Sequence, residues 1–531
     1  MREPGSWQRP PEYDGRPRHP EGSLSPKPIH GSPRAALAVV LTTLALASAA
    51  SWAAAQGVVE PADWPQYQGG PGHAGSAPDG PQPPFRERWR FPSPAGGSLS
   101  PAILVDGQAV SVGSEAVYGV DLTTGTVAWE VARAGGPLST PAAGSIGGST
   151  AVLYLEGPQE EPEPSPSPSG TSSASPSDAS SPSPSASGEA VGPGGGGEEP
   201  TSSLVAISLE DGTELWRVPL QAVARSGVTI DGTAAYVGDQ DGHVLAVSLA
   251  DGSVMWTAEL VGRVDVPVAV SGGTVYAIAR DADAASVAIV ALDAATGKES
   301  WKVFPQATST VGSAPSAGEG FVLVGSADRL LRSIAAEDGT QRWGSLVLSF
   351  FSPATAPAFS GDTVYAADLS GGLYRLDAAD GHREWSHQLN EIVFRSAPVV
   401  SGPTVLLGLN DGRLVAIDSD SGHLVWESQQ TPGLIGTIAL GRDVVVAVKG
   451  GREAGLIAFE PDPEGALVDV PSPTDLDAGT TLSRYAAAAA VVCVAALVPG
   501  ILLRRRLGPA DLSGGVDPDE GEAEGDEEVK S

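Results

Sequence analysis

The chain has 531 residues, with 31 Lys and Arg against 64 Asp and Glu, a formal net charge of −33 at pH 7. That balance argues against a nucleic-acid partner, because neutralising a phosphate backbone requires a basic face. Its 67 Gly and 46 Pro describe turns and linkers rather than helices, and its single cysteine, Cys493, leaves everything before it without disulfides or a Cys-based zinc site.

Residues 1–34 are polar and rich in Pro, carry Arg2, Arg9, Arg16, Arg18, Lys27 and Arg34, and can build no core. Residues 35–55 are 21 largely apolar, uncharged positions ending in Ala53, Ala54 and Ala55. They are long enough to span a bilayer and also fit a signal peptide with a small-residue cleavage site, so anchor and signal peptide both stay open. In either case the basic flank predicts a cytoplasmic leader and an exported remainder.

Residues 61–470 are predicted to form an extracytoplasmic all-β domain organised by one repeated phrase. In the copy LVAIDSDSGHLVWE an alternating strand leads through an Asp to a turn ending in Gly422, and Trp426 follows four residues later. Alternating apolar residues make a strand with one buried face, and the Gly supplies the positive φ that closes a hairpin. The phrase recurs at Trp129, Trp216, Trp256, Trp301, Trp343 and Trp385, each four residues after its Gly. From Trp216 onward the spacings are 40, 45, 42, 42 and 41 residues. A period of about 40–45 residues, with several strands and turn-rich joints per unit, marks one blade of a β-propeller.

Two apparent defects set the blade count. Trp129 to Trp216 is 87 residues, but 157–202 is a Pro/Ser/Gly/Glu-rich insert of 46, and removing it leaves 41, one ordinary period. The last copy, LIAFEPDPEG, has no Trp; Trp89 in FRERWRF, 40 residues before Trp129, supplies it. The expectation is an eight-bladed β-propeller of four-stranded blades, closed by pairing of the N- and C-terminal strands. The insert cannot bury enough apolar surface to fold and is predicted to be an enlarged hairpin loop in blade 2, a tolerated insertion or a sugar-bearing or partner-catching spacer.

After a linker at 471–484, residues 485–503 are 19 apolar positions, about 28 Å as a helix against a hydrocarbon core of about 30 Å. Arg504, Arg505 and Arg506 form a stop-transfer cluster, and the acidic tail 504–531 is predicted to be cytoplasmic and disordered. The expected architecture is therefore a propeller with a flanking transmembrane helix or helices at the cell membrane.

The repeated phrase resembles that of the pyrroloquinoline quinone-like propeller family, A-x-D-x-x-T-G-x-x-x-W. So do the S-x-P-x-x-x-x-G openings TVGSAPSAG at 310–318 and RSAPVVSG at 395–402, and DWPQYQGGPGHAGSA at 63–77 looks like the lead-in that often precedes the family's first blade. The resemblance covers residues 64–469 and implies a ring of this fold with a choice of functions: quinone-dependent dehydrogenase, outer-membrane assembly scaffold, or binding protein. The family's dehydrogenases need the quinone, a calcium ion and a carboxylate base, and typically hold the quinone beside two adjacent cysteines. No cysteine lies in this ring, so the resemblance carries no pyrroloquinoline quinone or calcium site onto these residues.

Other chemistry leaves little trace. No G-x-S-x-G, P-loop or H-E-x-x-H occurs. His382 and His423 follow the turn Gly and read as solvated rim positions, while Asp239/Asp241 and Asp418/Asp420 read as turns, since no Glu stands at the twelfth position of a calcium loop. What remains is the channel mouth, where the inner strand of each blade begins. Arg225, Arg263, Asp265, Phe351, Phe394 and Arg395 precede such strands, and Arg with Phe at a funnel mouth suits a peptide or an anionic group. The alternative is that they fill and hydrate the channel, with Asp265 paired to Arg263. No catalytic, cofactor or metal residue is assigned. The functional expectation is a membrane-anchored, extracytoplasmic, non-catalytic binding or assembly scaffold with protein or peptide partners. A quinone-dependent oxidoreductase and an extracytoplasmic ligand sensor are the alternatives.

Overall fold

The computed structural model describes residues 63–157, 202–281, 287–304, 313–326, 328–347, 349 and 355–470. Both long apolar segments, the terminal tails and the interior of the insert lie outside the described residues, and among the described residues no helix is long and apolar enough to cross a membrane.

The described strands form eight sheets, each with four antiparallel strands laid from the channel outward. Blades 1 to 7 span 103–132, 142–219, 229–259, 269–303, 316–346, 358–388 and 399–427. Blade 8 is shared between the two ends: Ile435–Leu440, Val445–Lys449 and Gly455–Pro461 are completed on the outside by Phe85–Pro92, with Trp89 opposite Ala458. The ring therefore closes as its phase requires, with the last blade's missing Trp supplied from the N-terminal side.

Burial follows from position in the blade. Middle strands are packed on both faces by neighbouring blades, so Thr404–Gly408 is buried throughout, whereas an outer strand such as Val254–Glu259 buries its Trp and leaves most other positions exposed. The indole is thus what the outer strand contributes to the core. Each points into the next blade. Trp89 Nε1–H donates to Leu122 O at 2.8 Å, Trp216 to Leu249 O at 2.9 Å, Trp256 to Ala294 O at 2.9 Å, Trp301 to Ala336 O at 2.8 Å, Trp343 to Ala378 O at 2.9 Å and Trp385 to Ser419 O at 3.0 Å. In each case the carbonyl lies three residues before the next blade's turn Gly, and the indole lies on that Gly. A Cβ on Gly297 would stand 2.5 Å from Trp256 Cε3. The repeated Gly is therefore required twice, for its φ of +71° and for the ring pressed against it.

Two joints depart from this scheme. Trp129 Nε1 finds no partner, and Leu209 O, the equivalent carbonyl in blade 2, instead accepts from Gln108 Nε2 at 3.4 Å. Blade 8 has no turn Gly for Trp426, which packs edge-on against Phe85 and Phe459.

The insert joins two paired strands. Ser149–Glu156 and Ser203–Ser208 pair from Ala151↔Ser208 to Glu156↔Ser203, one uninterrupted hairpin. Its stems are held: Gly157 N donates to Gly135 O at 3.0 Å, and Ser202 Oγ accepts from Ala224 N at 3.0 Å. Buried Arg133 donates to Gly113 O and Leu155 O, while Glu156 takes both Ala134 N and the Arg217 guanidinium.

Two stability measurements check these contacts. Trp89→Ala should destabilise the ring as much as Trp256→Ala, about 3–5 kcal/mol by urea unfolding; a much smaller loss at Trp89 would mean that the N-terminal strand does not close the ring. Gly107→Ala and Gly297→Ala share a positive φ, but nothing lies within 4 Å of a Cβ at Gly107. The left-handed strain alone is about 1–2 kcal/mol, so Gly297→Ala should lose more than Gly107→Ala by a further ~1–3 kcal/mol of overpacking, and equal losses would remove the indole contact from the argument.

Candidate functional site

The channel of this propeller is threaded by the chain itself. The inner edge of every inner strand presents unpaired backbone groups to the axis, which need partners if they are buried. Residues 64–75 supply them blade by blade. Trp64 O accepts from Leu104 N in blade 1 at 2.9 Å and Pro65 O from Ala143 N in blade 2 at 2.7 Å. In blade 3 the Gln66 side chain brackets Ile230, its Oε1 accepting from Ile230 N at 2.8 Å and its Nε2 donating to Ile230 O at 3.0 Å. Pro71 O, Gly72 O, Ala74 O and Gly75 O then accept from Val270, Ala317, Phe359 and Val400 of blades 4 to 7. Ser76–Ala77 ends the circuit as a short parallel strand beside Val399–Ser401. The composition fits the task. Pro65 and Pro71 offer a carbonyl without an N–H that would need its own partner, and a Cβ at Gly72 would stand 2.4 Å from Ala317 O. Sequence reading placed this stretch before the first blade and missed that it laces seven blades together.

His73 lies within this stretch, fully buried, with φ +56°. Its Nδ1 is 2.8 Å from Pro315 O, its Nε2 has no partner, and the Tyr67 ring meets it edge-on at 5.0 Å. Burial pushes the imidazole down to about 4, against the opposing bond to Pro315, and pushes the Tyr67 phenol far up. The histidine is therefore neutral, with Nδ1 as the donor.

The loops that enter the inner strands form the mouth. Arg225, Asp265 and Arg395 each stand four residues before the inner strands that start at Thr229, Ala269 and Val399. The chain there already runs beside the second strand: Ser226 Oγ and Ser396 Oγ accept from Gly238 N and Gly408 N, both at 2.9 Å. Ser100 and Ser313 do the same in blades 1 and 5. The repeated Ser of the S-x-P openings is thus a structural latch between two strands.

The candidate residues do not form one cluster. Arg263 and Asp265 come together, Nε to Oδ2 at 3.8 Å, and the sequence reading missed the third member, Arg280, whose guanidinium lies 3.4 Å from Asp265 Oδ1. Arg280 ends the buried strand Thr274–Arg280, and a charge closing an apolar run was the signal for it. Burial lowers its pKa, Asp265 opposes that shift, and the like charge of Arg263 reinforces it. Arg225 and Arg395 stand on loops entering other blades, exposed and without a side-chain hydrogen bond or ion pair among the described residues. Phe394 is half-buried, and Phe351 lies outside the described residues. The stem of the insert adjoins Arg225, since Ser202 holds the N–H of Ala224.

At the rim, His382 is exposed, but His423 Nδ1 lies 2.6 Å from Asp469 Oδ1 and so is less solvated than expected. Asp239 is a buried turn carboxylate that accepts from Asp241 N and His243 N and lies 2.8 Å from His243 Nδ1; Asp418 holds the Ser421 turn. Asp368, also fully buried, takes five donors from Ser349, Ser370, Gly372 and Tyr374, while burial pushes its carboxyl upward. Among the described residues no group of three or more His, Cys, Asp or Glu is placed to hold a metal ion.

The described strands form an eight-bladed propeller, and its repeat resembles that of the pyrroloquinoline quinone-like family. Residues 200–311 and 285–452 match the family model described as outer membrane protein assembly factor BamB. No curated protein matches the sequence. Among solved structures, BamB from Moraxella catarrhalis aligns at 14% identity and a TM-score of 0.49, over 71% of this chain and 100% of that one. The computationally designed protein Ika8 aligns at 14% identity and 0.52, over 71% and 99%. Quinohemoprotein alcohol dehydrogenase ADHIIG from Pseudomonas putida HK5 aligns at 12% identity and 0.54, over 79% and 82%. At such identities the likeness is one of fold.

The buried imidazole gives a test of the threaded stretch. A folded-state pKa below the unfolded value means that this stability is present above pH 6.5 and is lost as pH falls toward 4. The loss attributable to His73 should approach about 3 kcal/mol. His387, buried beside Gly422 O and also lowered by burial, contributes with the same sign. His73→Asn keeps a donor near Pro315 and tolerates the left-handed backbone, so it should flatten the decline in unfolding free energy between pH 7 and pH 4.5. An unchanged slope would show that His73 is solvated or already charged in the fold.

Proposed function

We propose that this ring is a non-catalytic binding or assembly scaffold for a protein or peptide segment, tethered at the membrane with its propeller outside the cytoplasm. The observation that carries this reading is that residues 64–77 occupy the channel and bond to the inner strands of seven blades, which leaves the loops entering those strands as the surface for a ligand. That mouth carries exposed Arg225 and Arg395, the half-buried Phe394 and the stem of the insert. Cationic and aromatic groups on neighbouring loops suit an acidic or C-terminal peptide. The family description, an outer membrane protein assembly factor, agrees with a protein partner. Membrane tethering is supported by residues 35–55 and 485–503 and by the Arg504–Arg506 charges.

The competing reading is a quinone-dependent oxidoreductase. The residues at the mouth do not fit the quinone and calcium pair: no cysteine lies in the ring, and Asp265, the acidic group there, already faces two guanidinium groups. No step is therefore assigned to that chemistry.

Crosslinkers placed at Arg225 and Arg395 in intact cells should yield a discrete adduct that the same crosslinker at the Thr124 turn does not, and external protease should digest the ring while sparing a tag after Ser531. Stoichiometric quinone uptake with dye reduction by an alcohol or aldose, abolished by Asp265→Ala, would overturn the scaffold reading. A ring protected until lysis would overturn its placement.

A further inference from the structure

Every blade ends in an outer strand whose far edge could pair with a further strand, and proteins ordinarily blunt such edges with charge. The pairing-competent position on each is the residue two before the Trp. It is Glu87 in blade 8, Glu214 in blade 2, Glu299 in blade 4, Gln341 in blade 5 and Arg383 in blade 6. Blade 7 has Leu424 instead, and there the chain supplies its own cover. Leu424 N donates to Val470 O and Val470 N to Leu424 O, both at 3.0 Å, Val468 N donates to Val425 O at 2.8 Å, and Asp469 reaches back to His423. An apolar edge on this ring thus takes up an extended, largely apolar segment.

Blade 3 carries the same kind of edge with no covering strand among the described residues. Its outer strand, Val254–Glu259, has no charge before its last residue, and Val254 and Met255 are 47% and 50% exposed. Val254 occupies the place of Leu424: it pairs inward with Val247 as Leu424 pairs with Ile417, each beside a register shift, so the bulge that bends the strand does not prevent a further strand from pairing. Blade 1 offers Val127 at 43% exposure at this position, but with the small Ala128 beside it where blade 3 has Met255.

We propose that the outer strand of blade 3 is a docking edge for an extended, largely apolar segment of a partner polypeptide, which adds to the blade as a fifth strand. Backbone pairing at Val254 provides register and Val254 with Met255 the apolar contact. This surface lies on the outer rim and is independent of the mouth residues, so the two readings can fail separately.

The test uses the full-length chain and a fluorescent peptide with the sequence of residues 465–470, the ring's own cover. Saturable binding is expected, with amide exchange slowed at Val254. Val254→Lys, and separately Met255→Lys, should weaken binding about tenfold or more, the scale of a lost edge pairing, while Leu346→Lys, at an equally exposed apolar position in blade 5, should leave it unchanged. Circular dichroism confirms that each variant is folded. No saturable binding, equal binding by Val254→Lys, or protection confined to blade 7 would overturn the proposal, as would self-association of the chain that Val254→Lys abolishes.

Discussion

The indole of each repeat, laid on the turn glycine of the next blade, is the contact on which the ring depends. A four-stranded blade is too thin to hold a core of its own, so its stability comes from faces shared with its neighbours. The outer strand has little to offer that shared face except the Trp, and the Nε1–H bond sets how far the ring inserts. Because the glycine receives the indole of the blade before and the Trp four residues on is delivered to the blade after, the phrase is a linker between three blades. A residue with a Cβ at Gly297 or Gly381 would displace a neighbouring blade's ring.

A ring built this way still leaves its inner edges unpaired around the axis. The lead-in from Trp64 to Ala77 meets that need with backbone carbonyls in six blades and with the Gln66 side chain in blade 3. His73 within the lead-in is neutral for the same reason that the lead-in is stable: no water reaches it.

Charge is distributed to match. The chain is strongly acidic as a whole, yet most arginines of the ring are spent in local pairs such as Arg413 with Asp411 and Glu427, or Arg375 with Glu384 and Asp420. The exposed Arg225 and Arg395 at the mouth escape this pairing, and their field therefore faces outward, toward whatever approaches those loops.

What the sequence determined by itself was everything that repeats. Strand alternation, turn chemistry and the Gly-to-Trp interval are contained within about fourteen contiguous residues, so they survive without knowledge of the fold, and phase alone assigned Trp89 to the last blade and set the insert aside as a loop. What only the tertiary structure decided was how residues distant in the chain meet. The direction of each indole, the lacing of seven blades by residues 64–75, the joining of Arg280 to Asp265 and the covering of Leu424 by Val470 pair residues that are far apart in the chain or on different loops. No local pattern encodes such a pairing, because the partner's position is set by the closure of the ring, and the same reason scattered Arg225, Arg263 and Arg395 around the mouth rather than gathering them into one site.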